Sequence, residues 1–165
     1  MQHVQTRSTT SALVLTAVLI ALATLFTMYT KIPVPGIRGY FNVGDVVIMT
    51  SALLLGRKYG AYIGAIGPAL ADLFLGYAVF VPITFVVKGI EGYLVGAVYN
   101  NKTTTSALVA TIVGGIIIVA GYFIVEYFVF NPGVAIASIL TNTIQAVMSV
   151  IVSMILYAIL RKRLR

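Results

Sequence analysis

The sequence predicts an all-α fold: an integral membrane bundle of six transmembrane helices with both termini cytoplasmic. Three observations carry this reading. Of the 165 residues, 60% are AVILMFWYC and only 9% are charged, where soluble domains carry about 25%. A water-facing surface would need many more ionic side chains, and disorder would need low hydrophobicity. Second, the apolar residues gather in six long runs separated by turn-forming residues. Third, the basic residues collect on one side of the topology those runs define.

The first run, 11–29, follows Arg7 and includes Ala21-Leu22-Ala23, which raises a cleaved signal peptide. Its apolar stretch exceeds the usual core of such a peptide, and its removal would spoil the charge balance, so it reads as a retained helix. The second run, 43–55, is short. It rises about 20 Å as a helix, less than the ~30 Å hydrocarbon core. Two readings stand: residues 40–42 extend it, or it begins below the membrane surface beside a cavity, where non-helical backbone is tolerated. Gly56-Arg57-Lys58 marks the turn before the third run, 59–77, and Gly76-Tyr77 is a weaker mark before the fourth, 79–99. Asn100-Asn101-Lys102 precedes the fifth, 107–130, and Asn131-Pro132-Gly133 the sixth, 134–160. The alternating segments of a β-barrel are not found. Residues 1–165 are read as a single membrane domain. With no Cys and one His, His3, a disulfide framework, a Cys/His zinc site and a Cys nucleophile are excluded.

The net charge of +7 raises nucleic acid as a partner, but its distribution argues against it. Six spans put Arg7, Arg57, Lys58, Lys102, Arg161, Lys162, Arg163 and Arg165 on one side. The opposite loops hold Lys31 and Arg38, and Lys88 lies inside a span. Positive charge marks the cytoplasmic side, and the basic C-terminal tail suits anionic membrane lipid. No nucleic-acid motif is present. Six of the ten Tyr (Tyr29, Tyr59, Tyr77, Tyr99, Tyr127 and Tyr157) fall near span ends, as interfacial aromatics do.

Charges inside a bilayer are costly and so point to function. The four acids are Asp45, Asp72, Glu91 and Glu126. Asp72 lies late in the outward-running third span. Lys88 and Glu91, at i and i+3, share one face of the fourth; they either meet a ligand or pair with each other. Glu126 is near the outer end of the fifth span, in reach of the interface. Asp45 opens the second span, where a carboxylate suits a helix N-terminus, and capping is the favoured reading for it. On the sixth span Ser138, Asn142, Gln145 and Ser149 form one polar stripe, which must face the bundle. Its plain role is interhelical hydrogen bonding. The amides of Asn142 and Gln145, with donors and acceptors, also suit reading a heterocycle edge. Nearly all these groups lie at or above the midplane, an arrangement that suits capture of a polar small molecule from outside and not a channel wetted throughout.

Gly60, Gly64, Gly67 and Ala71 on the third span and Gly92 and Gly96 on the fourth read as close helix packing. Ala17 and Ala21 on the first are the same device, for internal packing or for docking another membrane subunit. No motor is visible. The stretch from Gly96 to Thr103 lacks the second glycine a P-loop needs to wrap phosphate, so ATP must act on a partner. An intramembrane enzyme has no Ser–His or metal cluster to use, which leaves it only paired carboxylates. A self-sufficient ion-coupled carrier would usually show two similar halves, and these spans do not divide so.

Taken together, the six short spans, Ala17-x3-Ala21, the stretch PVPGIRGYFNVGD from Pro33 to Asp45, Gly60-x3-Gly64-x2-Gly67-x4-Asp72 and Pro82-x5-Lys88-Gly89-x-Glu91-Gly92-x3-Gly96 resemble the substrate-binding S components of energy-coupling factor (ECF) vitamin transporters. Among these the chain looks most like the hydroxymethylpyrimidine- and pyridoxine-type members. The resemblance implies a high-affinity, vitamin-binding subunit in a bacterial plasma membrane. Its implied partners are a transmembrane coupling subunit and two cytoplasmic ATPases. No cofactor is expected in this chain, ATP being used on those ATPases. It implies docking of the coupling subunit at Ala17 and Ala21, and a first outer loop, residues 31–42, over the ligand. The ligand would lie among the last three helices in the outer half, which makes Lys88, Glu91, Tyr122, Glu126, Asn142 and Gln145 candidates. Asp72, Tyr40 and Asn42 complete the candidate set from depth and loop position. Two ligand readings stay open. A neutral pyrimidine or pyridine alcohol would be held by amide and Tyr hydrogen bonds. A cation such as thiamine would be met by an unpaired Glu91 or Glu126; the absence of Trp weighs against a strong cation–π site.

Overall fold

The computed structural model describes residues 9–33, 40–99 and 103–163. Six helices follow one another: α1 (Thr9–Tyr29), α2 (Gly44–Leu55), α3 (Arg57–Phe74), α4 (Phe80–Val98), α5 (Thr104–Val129) and α6 (Pro132–Arg163). Between α1 and α2 two short strands, β1 (Ile32–Pro33) and β2 (Tyr40–Phe41), pair antiparallel, Ile32 against Phe41 and Pro33 against Tyr40. The sequence gives no sign of this pair, because two residues are too few for an alternation.

The helix ends follow local chemistry. Gly56, at φ 92°, alone breaks α2 from α3; Arg57 and Lys58, expected in the turn, are the first residues of α3. α3 stops at Phe74 and not at residue 77, because Gly76 takes φ 81°. Pro132 opens α6, where its missing N–H costs nothing, and the Asn131 side chain accepts from the Val134 N–H at 3.0 Å. Thr103 does the same for the Ser106 N–H of α5 at 3.1 Å. The expected turn residues 100–102, part of the first loop (34–39) and the basic residues Arg7, Arg38, Lys102 and Arg165 lie outside the described residues.

Close packing of α3 on α4 rests on glycine. A Cβ on Gly64 would strike the Lys88 carbonyl, and one on Gly92 the Gly60 carbonyl. Gly67 instead faces Ala23 of α1. The surface is inverted relative to a soluble protein. Leu140, Ile136, Phe128 and Phe74 are more than 60% exposed, while Ser149, Ser153, Asp45 and Glu91 are fully buried. On α6 the buried face runs Ala135, Ser138, Gln145, Ser149, Ser153 and Tyr157, so the expected polar stripe does face the bundle. α1, α4, α5 and α6 are each long and apolar enough to cross a membrane. α2 rises only about 18 Å. Tyr157 is a correction: it lies in the core, its hydroxyl bonded to that of Tyr99, and is no interfacial anchor. Ala17 and Ala21 are exposed; the inward face of α1 is Thr16, Ala23, Thr24 and Thr27.

A polar cavity at one end of the bundle

Up-and-down connectivity brings the end of α3, the start of α4, the end of α5 and the start of α6 to one end, under the β1–β2 pair. All four acids of the chain are buried, Asp72 and Glu126 at this end and Asp45 and Glu91 deeper in the bundle. The start of α2 lies inside the protein, and its backbone is satisfied by side chains. The Gly44 N–H donates to Asn42 Oδ1 at 2.9 Å, the Val43 N–H to Thr30 Oγ1 at 3.0 Å, and the Asn42 N–H to Gln145 Oε1 at 3.0 Å. This decides between the two readings of the short second span: it begins where predicted to within one residue, below the end of its neighbours, with its leading backbone held by protein.

Asp45 is not the cap: the first helical N–H, that of Gly44, donates to Asn42 and not to the Asp45 carboxylate. Its carboxylate instead joins three helices. Oδ1 pairs with the Lys88 ammonium of α4, and Oδ2 accepts from Gln145 Nε2 of α6 at 2.7 Å. Lys88 also faces Glu91 Oε2 at 3.7 Å, too far for a hydrogen bond. The expected alternatives for Lys88, ligand or Glu91, thus omitted its principal partner, which comes from another helix. Glu126 does not reach out to the interface: it is buried and accepts from Ser138.

Above this layer lies a cavity of about 40 Å³, room for about three waters. It is walled by Thr27, Tyr40, Asn42, Pro68, Asp72, Phe80, Thr84, Lys88, Tyr122, Glu126, Ser138, Thr141, Asn142 and Gln145. Of the candidate residues, Tyr40, Asn42, Asp72, Lys88, Tyr122, Glu126, Asn142 and Gln145 meet there. Glu91 does not; it sits behind Lys88, fully buried. Tyr40 donates to Asp72 Oδ1 at 2.6 Å, and Thr84 and Tyr122 share a hydrogen bond of 3.0 Å. Burial, then the Asp72 carboxylate, hold the Tyr40 phenol well above its ordinary pKa, so it stays a donor. Among the described residues, three polar atoms on the wall lack a partner: Thr27 Oγ1, Asp72 Oδ2 and Asn142 Nδ2. Buried polar groups without partners are rare and costly, so these atoms are free to engage a bound molecule. A larger concavity, about 550 Å³, lies between α5 and α6, but Thr143 is the only polar side chain in its wall. It offers no charge and a single hydroxyl, and the small polar cavity is the better candidate site.

Comparison with known proteins fits this arrangement. A family model described as "ECF-type riboflavin transporter, S component" matches residues 7–162. The chain belongs to that family. As an S component it is a substrate-binding subunit of a multi-pass membrane transporter and not an enzyme; the ATPase activity of such systems resides in separate subunits. The chain is similar to the "Uncharacterized protein in gap 3′region" of Pyrococcus woesei, with 41% identity, covering 86% of this chain and 95% of that one. It is 28% identical to the "Thiamine precursor transporter HmpT" of Lactococcus lactis subsp. cremoris, covering 89% and 83% respectively. Its fold matches a solved structure described as the S component of a bacterial ECF transporter, with TM-score 0.78, 21% identity, and 94% and 98% of the two chains covered.

Sequence reasoning about this S component missed Asp45 as a structural hub, and Thr27, Thr84 and Thr141 as wall residues. Threonine bonds its own helix so often that it carries little signal. Asp45 gave one, since a carboxylate opening an apolar span is costly wherever it points. Its helix-start position offered the simpler explanation.

Proposed function

We propose that the chain captures a small, neutral, nitrogen-containing heterocyclic alcohol, of the hydroxymethylpyrimidine or pyridoxine kind, from outside the cell. The single observation that carries this is the set of unpartnered atoms on the cavity wall. Asp72 Oδ2 accepts, Asn142 Nδ2 donates and Thr27 Oγ1 does either. An aminopyrimidine alcohol presents the complement: amino N–H groups, ring nitrogens and a hydroxyl. Phe80 and Tyr122 supply apolar walls. Similarity to the thiamine precursor transporter supports the same class. A flavin is the second reading, favoured by the description of the family model.

In this proposal residues 1–165 form a single membrane unit that crosses the plasma membrane six times, with both termini cytoplasmic and the cavity outward. The chain holds no cofactor. Ligand passes inward only in complex with a transmembrane coupling subunit and two ATPases that use ATP. Ala17 and Ala21, exposed on α1, form the coupling-subunit face. A thermal-shift panel on purified protein tests the ligand class. Hydroxymethylpyrimidine, pyridoxine, thiamine and riboflavin each at ~100 Kd should add about 2.7 kcal/mol if bound. Stabilisation by riboflavin alone favours the second reading; none by any member refutes both. Substrate uptake by the chain reconstituted alone, without ATPases, would instead make it a self-sufficient carrier.

A further inference from the structure

Lys31, between α1 and β1, lies near Tyr40, a residue of the cavity wall, and beside Tyr77, which is not part of that wall. Its Nζ is 4.9 Å from the centre of the Tyr77 ring and 5.9 Å from that of Tyr40. The two rings are 5.0 Å apart and inclined at 59°, so their faces make an open corner around the ammonium. Tyr40 continues inward through its hydroxyl to Asp72, whose second oxygen has no partner among the described residues. Two aromatic faces beside a carboxylate are the composition of a site for organic cations. The surroundings strengthen this. Asp72 and Glu126 both line the cavity, and Lys88, the buried ammonium, is already engaged by Asp45 and Glu91. Such a cleft draws cations from solution. Lys31 is held beside the corner by its own chain, at an effective concentration that few free solutes reach.

We propose that Lys31 is a tethered plug in an aromatic cation site formed by Tyr40 and Tyr77 above Asp72. Its ammonium takes the place that a small organic cation of the trimethylammonium or thiazolium type would occupy. The plug disfavours charged ligands and keeps the cavity for neutral ones, specificity achieved against a competitor. This role as a selectivity residue rests on the ligand-capture reading; the cation site itself does not.

The test is titration of detergent-solubilised protein with tetramethylammonium chloride at constant ionic strength, followed by ligand-observed NMR. Lys31→Gln should bind this probe about fivefold more tightly than the parent, and Lys31→Arg should behave as the parent. Adding Tyr77→Leu to Lys31→Gln should remove the gain. tert-Butanol, uncharged and of similar shape, should bind all of them alike. Equal tetramethylammonium affinity in parent and Lys31→Gln overturns the proposal, as does a gain that survives Tyr77→Leu. A thermal shift with hydroxymethylpyrimidine runs in parallel. If it stabilises no variant while the probe results stand, the ligand reading fails and the cation site holds.

Discussion

Replacing Asp45 by Ala removes a side chain that joins α2 to both α4 and α6 through polar contacts. The loss can be worked from the geometry. Lys88 loses its ion-pair partner and keeps only Glu91, at 3.7 Å and without a hydrogen bond. Gln145 Nε2 loses its acceptor at 2.7 Å and becomes an unsatisfied buried donor, which costs about 1–3 kcal/mol. Breaking a buried pair from one side costs about 3–5 kcal/mol. The two terms share a partner and do not add, and Glu91 can move toward Lys88. We expect about 4 kcal/mol for Asp45→Ala and about 2 kcal/mol for Asp45→Asn, whose amide oxygen still accepts from Gln145. Denaturant titration in detergent micelles, followed by circular dichroism, measures both. The double variant Asp45→Leu/Lys88→Met, which leaves no unpaired charge, should recover much of the loss. Less than about 1 kcal/mol for Asp45→Ala, or a double variant no more stable than either single one, would refute the hub.

Asn142→Leu removes an amide nitrogen that bonds nothing among the described residues. Ligand affinity by calorimetry should fall about fivefold to tenfold, with little change in the unfolding midpoint. Gly64→Val drives a side chain into the Lys88 carbonyl and should cost about 1–3 kcal/mol in the same denaturant titration. Ala17→Leu with Ala21→Leu alters an exposed face. ATP-dependent uptake with the partner subunits should be lost while ligand binding is kept; lost binding would point to internal packing instead.

Much of this architecture is legible in the residues because a bilayer constrains them strongly. Runs of apolar side chains must be helices, since no water satisfies an open backbone there, and the observed helix ends fall within three residues of the expected ones. The polar stripe on α6 had to turn inward for the same reason. The cavity residues were legible because charges and amides in such runs are scarce. Their pairings were not. Lys88 and Glu91 are neighbours in sequence, yet the partner Lys88 bonds is 43 positions away, and only the packing of α2 against α4 and α6 creates that contact. The β1–β2 pair likewise arises from chain closure between helices, which leaves no periodic trace.

The small size of the cavity has a kinetic consequence. At about 40 Å³ it is far below the roughly 300–1,000 Å³ of pockets that enclose organic ligands, so admission of a heterocycle includes an opening step. If that step comes first, the apparent Kd is the intrinsic one divided by the open fraction. A conformer populated at about 1% weakens measured affinity about a hundredfold. Association would then level off at the opening rate as ligand concentration rises, instead of climbing with it. The hydrogen bond from Tyr40 to Asp72 joins two residues of the cavity wall, and an opening that parts them would break it. A chain that binds its ligand tightly through such a step must also hold it long, because departure waits on the same opening.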